Sequence, residues 1–278
     1  MPRPYAVPAD AWDCHCHVFG PAQRFPYAQG RSYTPADAPY ESLAALHDRL
    51  GLRHAVIVQG ACHGTDHAAL LDALARGGGR HRGVALLRED VSEHELRTLH
   101  HAGVRAVRFN FVAHLGTPPS HATVRTMAKR VAALGWHLEL HVQAAQLDAL
   151  WPVLTRLETP FVIDHMARID ASRGLQDAAC QRLLELGQCP HAWVKLSAFD
   201  RACGGLPPFD RAVPIAAALL QAYPGRSVWG TDWPHPNIAA QPPDEAQLLR
   251  LLAIACGGEA AWTDVLVHNP RRLYGLQP

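Results

Sequence analysis

Asp-Cys-His-Cys-His, at Asp13–His17, ends a short apolar run near the start of the chain. If this run is a β-strand, its side chains alternate between two faces, so His15 and His17 point to the same side. Val228-Trp229-Gly230-Thr231-Asp232, late in the chain, is a second apolar run that ends in a chemically active side chain. Two imidazoles and a distant carboxylate that meet at one site are suited to binding a divalent metal or to activating water.

Strand-like runs of this kind recur eight times, and helix-like stretches separate most of them. The runs are Ala11–His15, Ala55–Gln59, Gly83–Leu87, Ala106–Phe111, His137–Val142, Phe161–His165, Ala192–Leu196 and Val228–Thr231. The predicted helices are Glu41–Leu50, Ala68–Ala75, Glu93–His101, Ser120–Leu134, Ala145–Leu157, Gln176–Leu186, Phe209–Tyr223 and Asp244–Ala255, followed by a tail at Ala260–Leu276. Strands that alternate with helices favour a parallel sheet, and eight such units favour a closed barrel. We therefore predict one α/β domain over residues 1–278, a (β/α)8 TIM barrel.

The first connection of this barrel, Val18–Pro39, is long and rich in Pro, Gly and aromatic side chains. Because it follows the first strand, it lies at the end of the barrel where active sites are built. A loop of this length inside a compact domain is usually functional. We predict that this long first βα loop covers part of the site.

Composition limits the classes of function. The net charge is +1 with His neutral, so neither nucleic acid nor a membrane surface is an expected partner. The seven cysteines are scattered through apolar segments, which is typical of free thiols in a reducing compartment. Cys14 and Cys16 are expected to point away from the histidines, into the layer between the barrel and its helices. No run approaches the ~18 apolar residues of a membrane span, and Met1–Pro8 lacks the apolar core of a signal peptide. We expect a cytoplasmic protein and leave open whether it forms a homo-oligomer.

The active site of a (β/α)8 barrel lies at the carboxyl ends of its strands. The side chains predicted there are His15, His17, Arg108, Asn110, His141, His165, Lys195, Ser197 and Asp232, with Glu139 one pleat deeper and Arg168 and Arg201 in the following loops. Arg108, Arg168 and Arg201 at one barrel mouth predict an anionic substrate, because guanidinium groups bind carboxylates in a bidentate fashion. Structural ion pairs are the alternative role for each of them.

The chain resembles the amidohydrolase superfamily, and within it the branch of 2-pyrone-4,6-dicarboxylate lactonase-like proteins. The resemblance covers nearly the whole chain. It rests on the segments DCHCHVFGP (Asp13–Pro21), VQGACHGTD (Val58–Asp66), GVRAVRFNF (Gly103–Phe111), IDHMAR (Ile163–Arg168), KLSAFDR (Lys195–Arg201), WGTDWPHPN (Trp229–Asn237) and HNPRRLYG (His268–Gly275).

The resemblance implies a role for each matched position. Asp232 is the implied general base that takes a proton from the attacking water. The implied cluster that polarises the lactone carbonyl or positions the water consists of His15, His17 and His165. The implied clamps on substrate carboxylates are Arg108, Arg168 and Arg201, and Tyr33 is the implied substrate-facing tyrosine of the first loop.

Three positions depart from the pattern of the dicarboxylate branch. His114 occupies the place of a second arginine, and we keep it as a candidate for substrate binding. Ala61 occupies the place of a serine. The fifth predicted strand ends in His141, which metal-dependent relatives use as a ligand. The cofactor expectation is therefore one divalent ion, zinc first, held by His15, His17, His141 and Asp232, or a site that works without metal.

These observations predict a lactonase, a hydrolase that opens a cyclic ester of a carboxylated compound in aromatic or sugar-acid catabolism. Its substrate would be a small anion similar to 2-pyrone-4,6-dicarboxylate, a muconolactone or a sugar-acid lactone. The first alternative is a metal-dependent hydrolase or decarboxylase acting on another anion. The second is a ligand-binding barrel without catalysis, which the complete acid/base set disfavours.

Overall fold

A computed structural model describes residues 4–238 and 241–275, and its centre is a parallel sheet of eight strands. In these residues the strands are β1 Trp12–Cys16, β2 His54–Val58, β3 His81–Ala85, β4 Val104–Asn110, β5 His137–His141, β6 Phe161–Ile163, β7 Ala192–Lys195 and β8 Ser227–Val228. Each strand pairs with the next in sequence order, β1 to β8. The predicted (β/α)8 TIM barrel is confirmed, and within it the predicted strands are displaced by a few residues at most.

The barrel closes between β1 and the segment that follows β8. Backbone hydrogen bonds of 2.8 Å join Cys14 N to Trp229 O, Asp232 N to His15 O, and His17 N to Trp233 O. A side chain at Gly230 would not fit, because its Cβ would lie 2.4 Å from the backbone nitrogen of His15. This close approach brings the histidines of β1 beside Asp232.

Helices cover the outside of the barrel. In the described residues they are α1 Tyr40–Leu50, α2 Ala68–Arg76, α3 Glu93–His101, α4 His121–Ala132, α5 Leu147–Leu154, α6 Ala178–Leu186, α7 Phe199–Ala202, α8 Val213–Ala222, α9 Glu245–Cys256, α10 Glu259–Thr263 and α11 Asn269–Tyr274. Each longer helix buries an apolar stripe against the sheet, such as Leu43 and Leu46 of α1. Several begin at a side chain that caps the first turn, such as Ser92, which accepts a bond from the backbone N–H of Glu95. The end of the predicted tail, Leu276, lies outside the described residues.

An irregularity in β1 corrects one expectation. The pairing of β1 with β2 slips by one residue between Asp13 and Cys16, so two successive residues of β1 face the same side. Cys16 packs in the layer between barrel and helices, as predicted. Cys14 instead packs inside the barrel with Val56 and Val84, so the prediction that it points outward is wrong.

In the part of the chain that the structure describes, no helix is long and apolar enough to cross a membrane.

Candidate functional site

A cavity opens at the carboxyl ends of the strands. It is lined by His17, Tyr33, Ala61, Arg108, His114, Leu115, His141, His165, Arg168, Arg201, Asp232, Pro236 and Asn237. Nine of the ten residues that were given a catalytic, substrate-binding or metal-binding role are in this set, and the tenth, His15, lies directly beneath it, fully buried. Four other side chains predicted at or below the strand ends do not line the cavity, namely Asn110, Glu139, Lys195 and Ser197. The first loop contributes Tyr33 to the wall, which agrees with its predicted place over the site.

Asp232 is held in one orientation at the mouth. Arg201 places Nε and Nη2 each 3.0 Å from Oδ2 of Asp232. The other oxygen, Oδ1, faces the Nε2 atoms of three histidines, at 3.4 Å from His17, 3.8 Å from His15 and 3.9 Å from His165. Burial opposes the charge of Asp232, but Arg201 and the histidines outweigh it and hold the pKa of this carboxyl well below its usual range. Asp232 is therefore ionised at neutral pH, and its Oδ1 can accept a proton.

The bonds made by each Nδ1 indicate where the histidines carry their protons. Nδ1 of His17 donates to the carbonyl oxygen of Val58 at 2.7 Å, which leaves a lone pair on Nε2. Nδ1 of His141 lies 3.3 Å from Oδ1 of Asn110, with the same consequence. Nδ1 of His165 lies 2.8 Å from the hydroxyl of Ser197.

Burial keeps the imidazoles of His15, His141 and His165 neutral. It lowers the pKa of His15 to about 4, with the nearby Lys195 adding to the effect. It also holds the pKa of His141 and of His165 well below the usual range. At neutral pH they act as uncharged donors and acceptors around the Asp232 carboxylate.

Strained backbone places two of the cavity side chains. His165, Met166, Ala167 and Arg168, which follow β6, all have positive φ, between 49° and 53°. Positive φ angles cost free energy in residues other than glycine. Four in succession persist only where the surrounding structure holds the backbone in this conformation. This conformation turns both His165 and Arg168 into the cavity. Asp232, at φ 62°, has the same conformation.

A buried network of charges lies beneath the cavity. Nζ of Lys195 contacts Oε2 of Glu139 at 2.8 Å, Oδ1 of Asp164 at 3.1 Å and Nδ1 of His15 at 3.1 Å. Nε of Arg108 contacts Oδ2 of Asp164 at 2.9 Å. Burial alone would raise the pKa of both carboxyls, but Lys195 lowers it, and Arg108 lowers that of Asp164 further.

The sequence reasoning missed Asp164, although it stands at the end of an apolar run next to His165, as Asp13 stands near His15. It also missed Asn237, for which the sequence carries no comparable signal. Tyr274, from the last helix, was missed as well. Its hydroxyl donates to Oε1 of Glu139 at 2.7 Å and so reaches the buried network from below.

A family model for amidohydrolases matches residues 12–276. The chain belongs to the amidohydrolase-2 family. The resemblance drawn from the sequence motifs is confirmed over almost the whole length.

Individual relatives of this amidohydrolase are known by activity. It is 39% identical to a 2-pyrone-4,6-dicarboxylate hydrolase of Comamonas testosteroni, over 97% of this chain and 92% of the relative. It is 36% identical to a 4-sulfomuconolactone hydrolase of Rhizobium radiobacter, over 99% and 93%. A solved structure of a probable 2-pyrone-4,6-dicarboxylic acid hydrolase from Acinetobacter baumannii, with citric acid bound, is 26% identical, with a TM-score of 0.84 over 96% of this chain and 100% of that one.

Buried His and Asp groups of this amidohydrolase could hold a metal ion. Around the cavity, His15, His17 and Asp232 place ligand atoms within 4.8 Å of one another, and so do His15, Asp164 and His165. In the first set it is Nε2 of His15 that faces Oδ1 of Asp232, at 3.8 Å, and in the second it is Nδ1 that faces Oδ1 of Asp164, at 3.6 Å. The residue types and distances therefore fit one divalent ion.

The position of the ring proton on His15 disfavours metal binding at Nε2. The pKa of Lys195 is raised: burial would lower it, but the carboxylates of Asp164 and Glu139 more than offset that effect. A charged ammonium 3.1 Å from Nδ1 of His15 donates a hydrogen bond to it, so the ring proton resides on Nε2. A metal ion could bind Nε2 only by displacing this proton.

The depressed histidine pKa values predict lability in mild acid. His15 has an unfolded pKa near 6.5 and a folded pKa of about 4, so the unfolded chain binds the proton first as the pH falls. The neutral form of His15 makes its full contribution to stability above pH ~6.5. This contribution is lost as the pH falls from ~6.5 to ~4. We expect this residue alone to reduce the free energy of unfolding by ~1.4 kcal/mol at pH 5.5. Urea titrations at pH 7.5 and 5.5 measure the change, and equal midpoints would contradict it.

Proposed function

We propose that this protein hydrolyses a lactone that carries an anionic group, using Asp232 as the general base. The observation that supports the proposal is the geometry of Asp232. Arg201 fixes one oxygen, and the other points at three imidazole nitrogens in a cavity that also contains Arg168. The named relatives, a dicarboxylate hydrolase and a sulfomuconolactone hydrolase, act on small anionic compounds. We place the reaction in the breakdown of carboxylated aromatic or sugar-acid compounds.

Water activation uses Asp232 and His17 together. A water molecule beside Oδ1 of Asp232 gives one proton to that oxygen, and its second hydrogen is accepted by the lone pair on Nε2 of His17, 3.4 Å from Oδ1. The water oxygen then attacks the ester carbonyl, and a C–O bond forms. A positioned general base of this kind contributes ~10²–10⁴-fold to the rate.

The oxyanion that forms needs a hydrogen-bond donor. Among the described residues, the hydroxyl of Ser197 has no acceptor other than Nδ1 of His165, so it donates there and leaves the ring proton on Nε2 of His165. That N–H faces the cavity and donates to the oxyanion. One such donor is worth ~10²–10³-fold. When the tetrahedral species collapses, the ring C–O bond breaks and the proton on Asp232 passes to the departing oxygen.

Arginines bind and orient the anionic substrate. Arg168 and Arg108 both line the cavity, and a carboxylate can accept two parallel bonds from either guanidinium. Tyr33 and His114 complete the wall around the bound substrate.

We propose that this cycle runs without a resident metal. A zinc ion, the first candidate from sequence, would be held by His15, His17 and Asp232, with His141 nearby, and would polarise the carbonyl as a Lewis acid. It would require the lone pair of His15 Nε2, and the ammonium of Lys195 stabilises the opposite tautomer.

Metal removal is therefore expected to leave activity unchanged. We expect protein with less than ~0.1 metal per chain to retain full turnover, because the acid and base are side chains. His141→Ala should then weaken substrate binding without changing metal content. Elemental analysis before and after dialysis against a chelator measures the metal content per chain. Loss of activity that zinc restores, with ~10-fold lower metal content in His141→Ala, would establish the metalloenzyme instead.

The function itself is tested by a panel of lactones that includes 2-pyrones, muconolactones and sugar-acid lactones, each with and without a carboxylate. Hydrolysis releases a proton, which a pH indicator records. We expect turnover of one or more carboxylated lactones. Release of carbon dioxide from a carboxylated substrate would indicate the decarboxylase, and saturable binding without turnover across the panel would indicate the ligand-binding barrel.

A further inference from the structure

The three arginines of the cavity differ in how their charge is balanced. Arg201 is paired with Asp232 and Arg108 with Asp164, in both cases through contacts of about 3 Å. Beneath them, Lys195 is paired with a further buried carboxylate, Glu139. In the described ranges 4–238 and 241–275, no carboxylate oxygen lies within 4.0 Å of the Arg168 guanidinium, although this side chain is partly buried.

One further carboxyl lies near these groups. Asp200 is 1% exposed, and neither of its oxygens has a hydrogen-bond partner among the described residues. Burial and the neighbouring charge of Asp232 raise its pKa, which favours the uncharged acid. It does not line the cavity. Of the three cavity arginines, Arg168 is thus the one that makes no direct contact with a carboxylate among the described residues.

We propose that the cavity selects lactones with one anionic group, seated on Arg168, and accepts a second anionic group only when His114 is protonated. This inference rests on the proposed function and names its substrate class. Arg108 can still donate hydrogen bonds to a second carboxylate, but it supplies no unbalanced charge. The second charge has to come from a titratable group at the rim, and His114 is the residue there that can provide it.

His114 lies in the turn after β4, and the other elements around the cavity present charged or titratable groups to it. Arg168 comes from the segment after β6, Arg201 from α7 and Tyr33 from the first loop, while His17, Arg108, His141, His165 and Asp232 come from the strand ends. Partial burial, then the two charges of Arg168 and Arg201, lower the pKa of His114. A substrate anion on Arg168 screens one of these charges, so protonation of His114 becomes easier once the first anionic group is bound.

Calorimetry with two flat acids tests the proposal without depending on turnover. Benzoate carries one carboxylate, and isophthalate carries two on the same ring. At pH 8 we expect isophthalate to bind no more than ~3-fold more tightly than benzoate. At pH 5.5 we expect the ratio to rise ~10-fold or more, with uptake of about one proton that appears as a dependence of the heat on the buffer's ionisation enthalpy.

Three variants separate the role of His114 from that of Arg168. His114→Gln should remove the pH dependence of the ratio, and His114→Arg should hold the ratio high at both pH values. Arg168→Met should weaken benzoate binding by ~30-fold or more, the range for losing one partner of a buried charge pair. Arg173→Met removes an arginine whose side chain is 66% exposed and paired with Asp177, and serves as the matched control.

The results separate this inference from the proposed function. A pH-independent preference for isophthalate in the wild type, or a ratio unchanged in His114→Gln, overturns the inference. Those results leave lactone hydrolysis intact, because it is read from turnover of the lactone panel. Absence of turnover on the panel overturns the proposed function, while the binding ratios still decide how many anionic groups the cavity accepts.

Discussion

Asp232→Asn is expected to lower kcat by at least ~10³-fold on any lactone that the wild type hydrolyses. The amide keeps the size of the side chain but cannot take a proton from water. Because Oδ1 carries the proposed chemistry and Oδ2 the contact with Arg201, the amide can still present an oxygen to the guanidinium. The variant should therefore fold and still bind an anionic inhibitor. Single-turnover kinetics and calorimetry measure the two properties separately.

The matched control is Asp210→Asn. Asp210 is exposed and does not line the cavity. It should have wild-type kcat. Activity of Asp232→Asn within tenfold of the wild type, in a folded protein, would remove Asp232 from the role of base.

Lys195→Met is expected to reduce the free energy of unfolding by ~3–5 kcal/mol, the usual result of removing one partner from a buried ion pair. Lys195 is fully buried, and without it Glu139 loses its only cationic partner among the described residues, while Asp164 keeps Arg108. The remaining carboxylates must either stay charged in a dry interior or take up protons. Guanidinium titrations at pH 7.5 measure the loss, which should shrink at lower pH as Glu139 protonates.

Lys129→Met is the natural control, because the chain has only these two lysines. Lys129 is exposed on α4, and its replacement should change stability by less than ~0.5 kcal/mol. A Lys195→Met variant as stable as Lys129→Met would show that the network does not need its cation. Adding Glu139→Gln to Lys195→Met should recover part of the loss, since it removes the unpaired charge.

Much of the site could be predicted because parallel barrel strands end at the same rim. Once His15, Arg108, His141 and Asp232 were placed at strand ends, their convergence followed from topology alone. Which carboxylate each arginine pairs with could not be predicted from the topology. Whether Arg108 meets Asp164 or the open cavity depends on side-chain directions across neighbouring strands, which no local pattern encodes.

Local backbone conformation was the other gap. The left-handed run from His165 to Arg168 contains no glycine that would signal it, and the prediction extended β6 through His165. The slip in β1 likewise has no sequence signal, yet it turns Cys14 into the barrel. Both features are enforced by long-range packing around the site, where local propensity is a poor guide.

The distribution of lysines also bears on how the protein could be attached to a surface. Lys195 is sealed inside the barrel, so amine-directed coupling through lysine side chains would reach only Lys129. Lys129 borders a groove with Trp136 and Pro160, which precede β5 and β6, at the end of the barrel opposite the cavity. A support joined there would leave the substrate entrance facing the solution.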